Sequence, residues 1–216
     1  GHGGEMAGES PPGKPDVSFG VFKLMHRISW RMLADVKTHL VSRLLVPLWL
    51  LLGGVLLAKN PVPYDLQEGD ILFSSSAYGQ GSAIIAATGS PYTHCGIVFL
   101  QNNRLMVLEA VQPVTVSTVE GFYSRGRPEG FAVKRLKSPV KPDAYQKARG
   151  WAAKQVGLNY DARFLWGDDK MYCSELVWKM YKEGLGVELC APKPMRENNL
   201  GSETVQRVMK ERYGAA

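Results

Sequence analysis

The stretch YTHCGIVFLQNNRLMVLEAV, residues 92–111, limits the possible folds more than any other part of this chain. Two apolar runs flank Asn102 and Asn103. Asparagine tolerates the left-handed backbone of a tight turn, so the pattern predicts a β-hairpin with these two residues at its tip. That turn sets the register. Leu100 faces Leu105, Val98 faces Val107 and Gly96 faces Glu109. Side chains alternate along a strand, so His94, Gly96, Val98 and Leu100 share one face with Leu105, Val107 and Glu109. His94 and Glu109 become diagonal neighbours across Gly96. Cys95 points to the opposite face. A three-residue turn would reverse this parity and separate His94 from Glu109.

The rest of the soluble part reads as strands followed by helices. Gly69-Asp70 marks a turn before a buried strand at 71–73. A short apolar helix, 82–88, stops at Gly89 and Pro91. Strands follow at 114–119 and 131–136. Helices follow at 143–156, at 173–182 with Gly184 as its stop, and at 203–212. This order predicts an α+β fold with an antiparallel sheet.

His94 is the only histidine beyond residue 58; His2, His26 and His39 all precede it. If the domain uses an imidazole base, it is this one. A neighbouring carboxylate at Glu109 would fix its tautomer and favour its charged form. Each residue also has a plainer reading, His94 as a hydrogen-bonded core residue and Glu109 as a solvated strand-end carboxylate. The pair on one face is what points to chemistry.

Cys173 opens the run CSELVWKM. On a helix starting there, Cys173, Leu176, Val177 and Met180 share one face. Two readings stand level. Cysteine is a common buried filler on such a face. A thiol in the first turn also meets free N–H groups that favour thiolate and could hold an oxyanion.

The three cysteines, 95, 173 and 190, show no paired ligand spacing with His94, so neither a metal nor another cofactor is expected. The odd number leaves at least one thiol free, with a Cys95–Cys190 bridge open outside the cytoplasm. Beyond residue 58, Lys and Arg number 20 against 16 Asp and Glu. The signs alternate, which excludes a nucleic-acid surface as the expected role.

The chain also carries an uninterrupted apolar run at 44–58. With Leu40 and a snorkelling Arg43 it approaches the roughly 20 residues that span a bilayer. Within residues 21–43 just before it, Lys23, Arg27, Arg31, Lys37 and Arg43 stand against the single acid Asp35. This bias predicts a cytoplasmic amino end and a domain on the far side of the membrane. The expected organisation is a disordered or basic segment at 1–38, a membrane anchor or signal segment at 39–58, a linker at 59–63 and a catalytic domain at 64–216. A cleaved signal is the rival reading, but Leu56 would stand where cleavage expects a small residue.

Taken in order, GDILF, TGSPYTHCGIVF, a strand ending LEAV, and MYCSELVW resemble the permuted papain-like amidases of the YiiX type, within the NlpC-like cysteine hydrolases. The resemblance runs from about residue 64 to 200. It implies a permuted papain-like fold in which a small antiparallel sheet is packed by helices. The membrane segment stands outside that family core. The resemblance also implies a nucleophile at Cys173, a histidine base at His94 and an orienting acid at Glu109, with the cysteine late in the chain instead of early. Tyr172 and Tyr92 are candidates for lining the cleft, with aromatic packing as the alternative. The expected activity is hydrolysis of an amide or ester through an acyl-enzyme in the bacterial cell envelope, on a peptide, cell-wall or lipid-derived acyl substrate. The alternatives are an acyltransferase of the lecithin–retinol acyltransferase-like branch and a catalytically silent binding module.

Overall fold

A computed structural model of the chain describes residues 33–37, 62–76 and 80–214. In chain order its elements are β1 (Leu33–Asp35), β2 (Ile71–Ser74), α1 (Gly81–Thr88), β3 (His94–Gln101), β4 (Arg104–Glu109), β5 (Thr115–Thr118) and α2 (Val119–Arg125). They continue with β6 (Ala132–Leu136), α3 (Pro142–Gln155), β7 (Asn159–Tyr160), β8 (Lys170–Met171), α4 (Cys173–Lys179) and α5 (Glu203–Tyr213). Six strands form one sheet in the order β1-β6-β2-β3-β4-β5, and every neighbouring pair is antiparallel. The fold is therefore α+β, as the order of elements predicts.

The hairpin has the expected register. Gly96 pairs with Glu109, Val98 with Val107 and Leu100 with Leu105. Asn102 and Asn103 have φ of 49° and 60°, the left-handed pair that matches the twist of the flanking strands.

Alternation along the strands builds two apolar layers. Ile71, Phe73, Cys95, Ile97 and Phe99 face α4 and share a core with Cys173, Leu176, Val177 and Met180. Leu72, Val98, Val107 and Val133 face the other way and are covered by Val119 and Phe122 of α2 and by Phe131.

Several elements depart from expectation. The strand expected at 114–119 ends at Thr118, whose side chain accepts the Gly121 N–H and starts α2 instead. The helix opened by Cys173 does not stop at Gly184. It passes into a π-helical turn, Met180–Leu185, closed by Gly186 at φ 71°. Gly184 has a packing role: a Cβ there would lie 2.8 Å from the Ala148 Cα, so its bare backbone lets this turn approach α3.

Leu33–Asp35 fall in the segment expected to precede the membrane run, yet they form an edge strand. Leu33 is buried, Asp35 pairs with Lys134, and Val36 N–H donates to the Val133 carbonyl at 3.1 Å. The apolar segment 39–58 lies outside the described residues. Among the described residues, no helix is long and apolar enough to cross a membrane.

Candidate active site

The start of β3 is held by backbone and side chain together. Thr93 N–H donates to the Ser74 carbonyl at 2.9 Å, and the Ser76 N–H donates to Thr93 Oγ1 at 2.9 Å. His94 follows directly and turns its ring toward Glu109, with Nε2 2.7 Å from Oε2. The diagonal relation expected from the hairpin is the one observed.

The space over Gly96 is not empty. A Cβ there would meet Val107 Cγ1 at 2.6 Å and Phe122 Cε2 at 3.1 Å. Phe122 crosses Gly96 and stacks on the imidazole. Glycine at 96 thus makes room for the aromatic ring that supports the histidine.

Glu109 is fully buried, while His94 keeps 22% of its side chain exposed. Three donors converge on the carboxylate. His94 meets Oε2, and the Ser117 hydroxyl and the Arg125 guanidinium both meet Oε1. Burial alone would raise the carboxyl pKa. The bonds from His94 and Ser117, the charge on His94 and the Arg125 contact overcome it and hold Glu109 below its ordinary value. Ser117 and Arg125 do not stand out in the sequence, because β5 and α2 must fold back on β4 before either side chain can reach Glu109.

Cys173 is the first residue of α4 and is 4% exposed. Its start is locked by Glu175, whose carboxylate accepts the Tyr172 N–H at 3.4 Å and the Gly167 N–H at 3.1 Å and pairs with Lys179 at 2.9 Å. Burial pushes Glu175 up to about 7 against the pull of Lys179.

Two groups act on the Cys173 side chain, the Cys95 thiol and the His94 ring. With Nε2 committed to Glu109, Nδ1 is the ring nitrogen left for the sulfur. The bond from Cys95, and then those from His94 and its charge, overcome burial and bring the Cys173 pKa well below that of a free thiol. Burial would lower His94, but its bonds to Cys173 and Glu109 outweigh that and raise it to about 9. These opposite shifts favour a thiolate–imidazolium pair. Cys95 moves oppositely. Its bond to Cys173 and its burial raise it well above the ordinary value, so it remains a thiol and donates. His94 breaks the tie between the two sulfurs because it bonds to Cys173.

A cleft of about 300 Å³ opens beside this line of groups, bounded by Gln80, Thr93, His94, Gln112 and Tyr160 among others. Tyr160 went unnoticed in the sequence. It belongs to a two-residue strand with no pattern of its own. Its hydroxyl oxygen accepts Gln80 Nε2 at 3.2 Å, and Gln80 Oε1 in turn accepts from Arg212. Burial, then the charge of Cys173, pushes the hydroxyl far above its ordinary value, which keeps its proton in place to be donated.

The two tyrosines expected to line the cleft do other work. Tyr172 is fully buried with its ring edge-on to Phe164 at 5.5 Å, so it packs the core. Tyr92 is half-buried against Phe73, 5.4 Å between ring centroids, and is not among the residues that bound the cleft. All three cysteines are free, and the partner of Cys95 is Cys173 instead of Cys190.

The family model for the permuted papain-like amidase enzymes, the YaeF/YiiX or C92 family, matches residues 65–216. The chain belongs to this family. It is 34% identical over 165 residues to the uncharacterized protein YiiX of Escherichia coli (strain K12), covering 76% of this chain and 82% of that protein. It is also similar to the crystal structure of the metalloprotein YiiX from Escherichia coli O157:H7, with a TM-score of 0.65 and 37% identity over 68% of this chain and 82% of that one. Membership supports a cysteine hydrolase of amidase type. Among the described residues of this chain, no group of three or more His, Cys, Asp or Glu could hold a metal ion. The donors nearest to one another are committed elsewhere, Glu109 to three partners and Cys173 to His94 and Cys95.

Proposed function

We propose that the chain hydrolyses an amide or ester bond through an acyl-enzyme, with Cys173 as nucleophile, His94 as proton carrier and Glu109 as the group that orients it. The observation that carries this is the alignment of Cys173, His94 and Glu109: His94 Nε2 lies 2.7 Å from the buried Glu109 carboxylate, its ring acts on the Cys173 thiol, and it borders a cleft.

The thiolate adds to the carbonyl carbon of the substrate. The developing oxyanion is met by the Tyr160 hydroxyl and by backbone N–H at the start of α4. The His94 imidazolium gives its proton to the leaving amine or alcohol as the C–N or C–O bond breaks. Neutral His94 then takes a proton from water, and the resulting hydroxide attacks the thioester and returns Cys173 to its thiolate. Glu109 keeps Nε2 protonated throughout, and Arg125 and Ser117 keep Glu109 ionised.

Gln80, Gln112, Thr93 and Tyr160 give the cleft many hydrogen-bonding groups. This lining favours a peptide-like substrate, such as a cell-wall amide, over a bare lipid-derived acyl chain. The compartment that fits such a substrate is the bacterial envelope, with the 39–58 run at the membrane.

The test is incubation with peptide amides and with acyl esters, followed by intact mass and peptide mapping. A transient acyl adduct on Cys173 and release by water are expected. Release only to added amines would convert the reading to an acyltransferase. Unchanged turnover by Cys173→Ala would overturn the assignment.

A further inference from the structure

The mechanism above uses Cys173 and leaves Cys95 without a chemical task. Yet Cys95 is built into the site from two directions. Its pairing opposite Phe73 in the β2–β3 ladder turns its side chain toward α4. It shares one buried core cluster with Cys173, and its thiol and backbone N–H both act on the Cys173 sulfur. Neither sulfur is bonded to another cysteine, and both are almost fully buried, at 0% and 4% exposure. For packing alone, valine or alanine would fill this position under α4. A thiol beside a thiolate has a further capability.

We propose that Cys173 and Cys95 form a redox site, in which a hydroperoxide oxidises Cys173 and Cys95 closes the product into a disulfide that stops catalysis until a dithiol reopens it. This requires Cys173 to be a thiolate, but not that it attack a carbonyl.

The balance is complete. The Cys173 thiolate attacks one oxygen of hydrogen peroxide, the O–O bond breaks, and hydroxide leaves and is protonated to water. Cys173 is now a sulfenic acid. The Cys95 sulfur attacks the Cys173 sulfur and the S–O bond breaks. The departing hydroxide takes the Cys95 proton and leaves as a second water. Two electrons pass from the sulfur pair to one peroxide, and two thiols become one disulfide. A dithiol reverses the step by exchange and is itself oxidised. Peroxide is small enough to enter by the cleft at His94. The two cysteines lie in one buried cluster, and a disulfide requires the sulfurs to close to bonding distance.

The third cysteine is a built-in control. Cys190 is half-buried, and what acts on its thiol is its burial and Glu188, with neither Cys95 nor Cys173 among the causes, so it has no neighbouring sulfur to close onto.

The experiment treats the purified chain with hydrogen peroxide, blocks free thiols, and reads intact mass and proteolytic peptides. The expected product has lost two hydrogens, about 2 Da, and gives a crosslinked peptide joining Cys95 to Cys173, with Cys190 alkylated. Hydrolysis stops and dithiothreitol restores it. In Cys95→Ala, the sulfenic acid at Cys173 is trapped by dimedone and, untrapped, gains further oxygen, after which dithiothreitol no longer rescues. The mass readout on the unsubstituted chain stands even if that variant folds poorly. No crosslinked peptide, with Cys173 passing straight to higher oxides in the unsubstituted chain, would overturn the proposal. A crosslink in a chain that turns over no acyl substrate would leave it standing and remove the hydrolase reading instead.

Discussion

The imidazole of His94 lies stacked on the ring of Phe122, 5.4 Å between centroids and 25° between planes. Phe122 comes from α2, a helix on the sheet face opposite Cys173, and also packs edge-on against Phe131. The stack supports the ring while its Nε2 meets Glu109. Replacing Phe122 with leucine keeps most of the volume and removes the flat support. We expect Phe122→Leu to cost about 1 kcal/mol in thermal unfolding and to lower kcat with little change in KM. A kcat equal to that of the unsubstituted chain would show that the stack does not position the base.

Acid–base behaviour separates the nucleophile from the proton donor. Cys173 ionises well below an ordinary thiol, and His94 loses its proton only near 9. Alkylation of Cys173 by iodoacetamide needs only the thiolate and should not fall as pH rises through 9. Acylation also needs the imidazolium to protonate the leaving group. Its kcat/KM should therefore rise as Cys173 ionises, stay level, and decline as pH passes about 9. A parallel decline of alkylation would disconnect that limb from His94.

Glu109→Gln keeps the shape and removes the charge that stabilises the imidazolium. A drop in kcat/KM of about 10²- to 10⁴-fold is expected, along with a lower pH for the basic limb, because His94 loses its charged partner. Arg125→Ala should do much less, under about tenfold, since its side chain is 51% exposed and water takes over part of its task. Equal losses in the two variants would mean that Arg125 acts on substrate directly.

Tyr160→Phe deletes one hydroxyl beside the cleft and leaves Gln80 without that acceptor. If the hydroxyl holds the oxyanion, kcat falls by about 10²- to 10³-fold, and alkylation of Cys173 proceeds as before. A change in KM alone would assign Tyr160 to ground-state binding.

The His94–Glu109 half of the candidate site was legible in the sequence because it is local. An Asn-Asn turn and strict alternation sufficed to bring His94 and Glu109 to one face and to send Cys95 to the other. Non-local features stayed hidden. The run TVSTV is β-branched and reads as strand to its end, but the Thr118 cap turns it into α2 one residue early. That places Phe122 and Arg125 where no periodicity shows them. Tyr160 and Gln80 meet only through the tertiary fold. The side of the sheet on which Cys95 lies was right. Its importance was missed because its partner arrives on α4 from the far end of the domain. The two candidate cleft tyrosines took their packing alternative for a similar reason. Tyr172 sits beside the nucleophile in sequence, but the extended residue before a helix sends its ring away, into the core.

The small edge strand β1 has a topological consequence. It is zipped to β6, and Val36 shares an apolar layer with Val62 and Tyr64 on the far side of the long apolar run. The chain therefore leaves one folded body near residue 37 and is back in the same body by residue 62. A thread drawn once through a bilayer would leave those two points on opposite shores. While β1 stays zipped they share one shore. A true crossing would first have to peel β1 from the sheet.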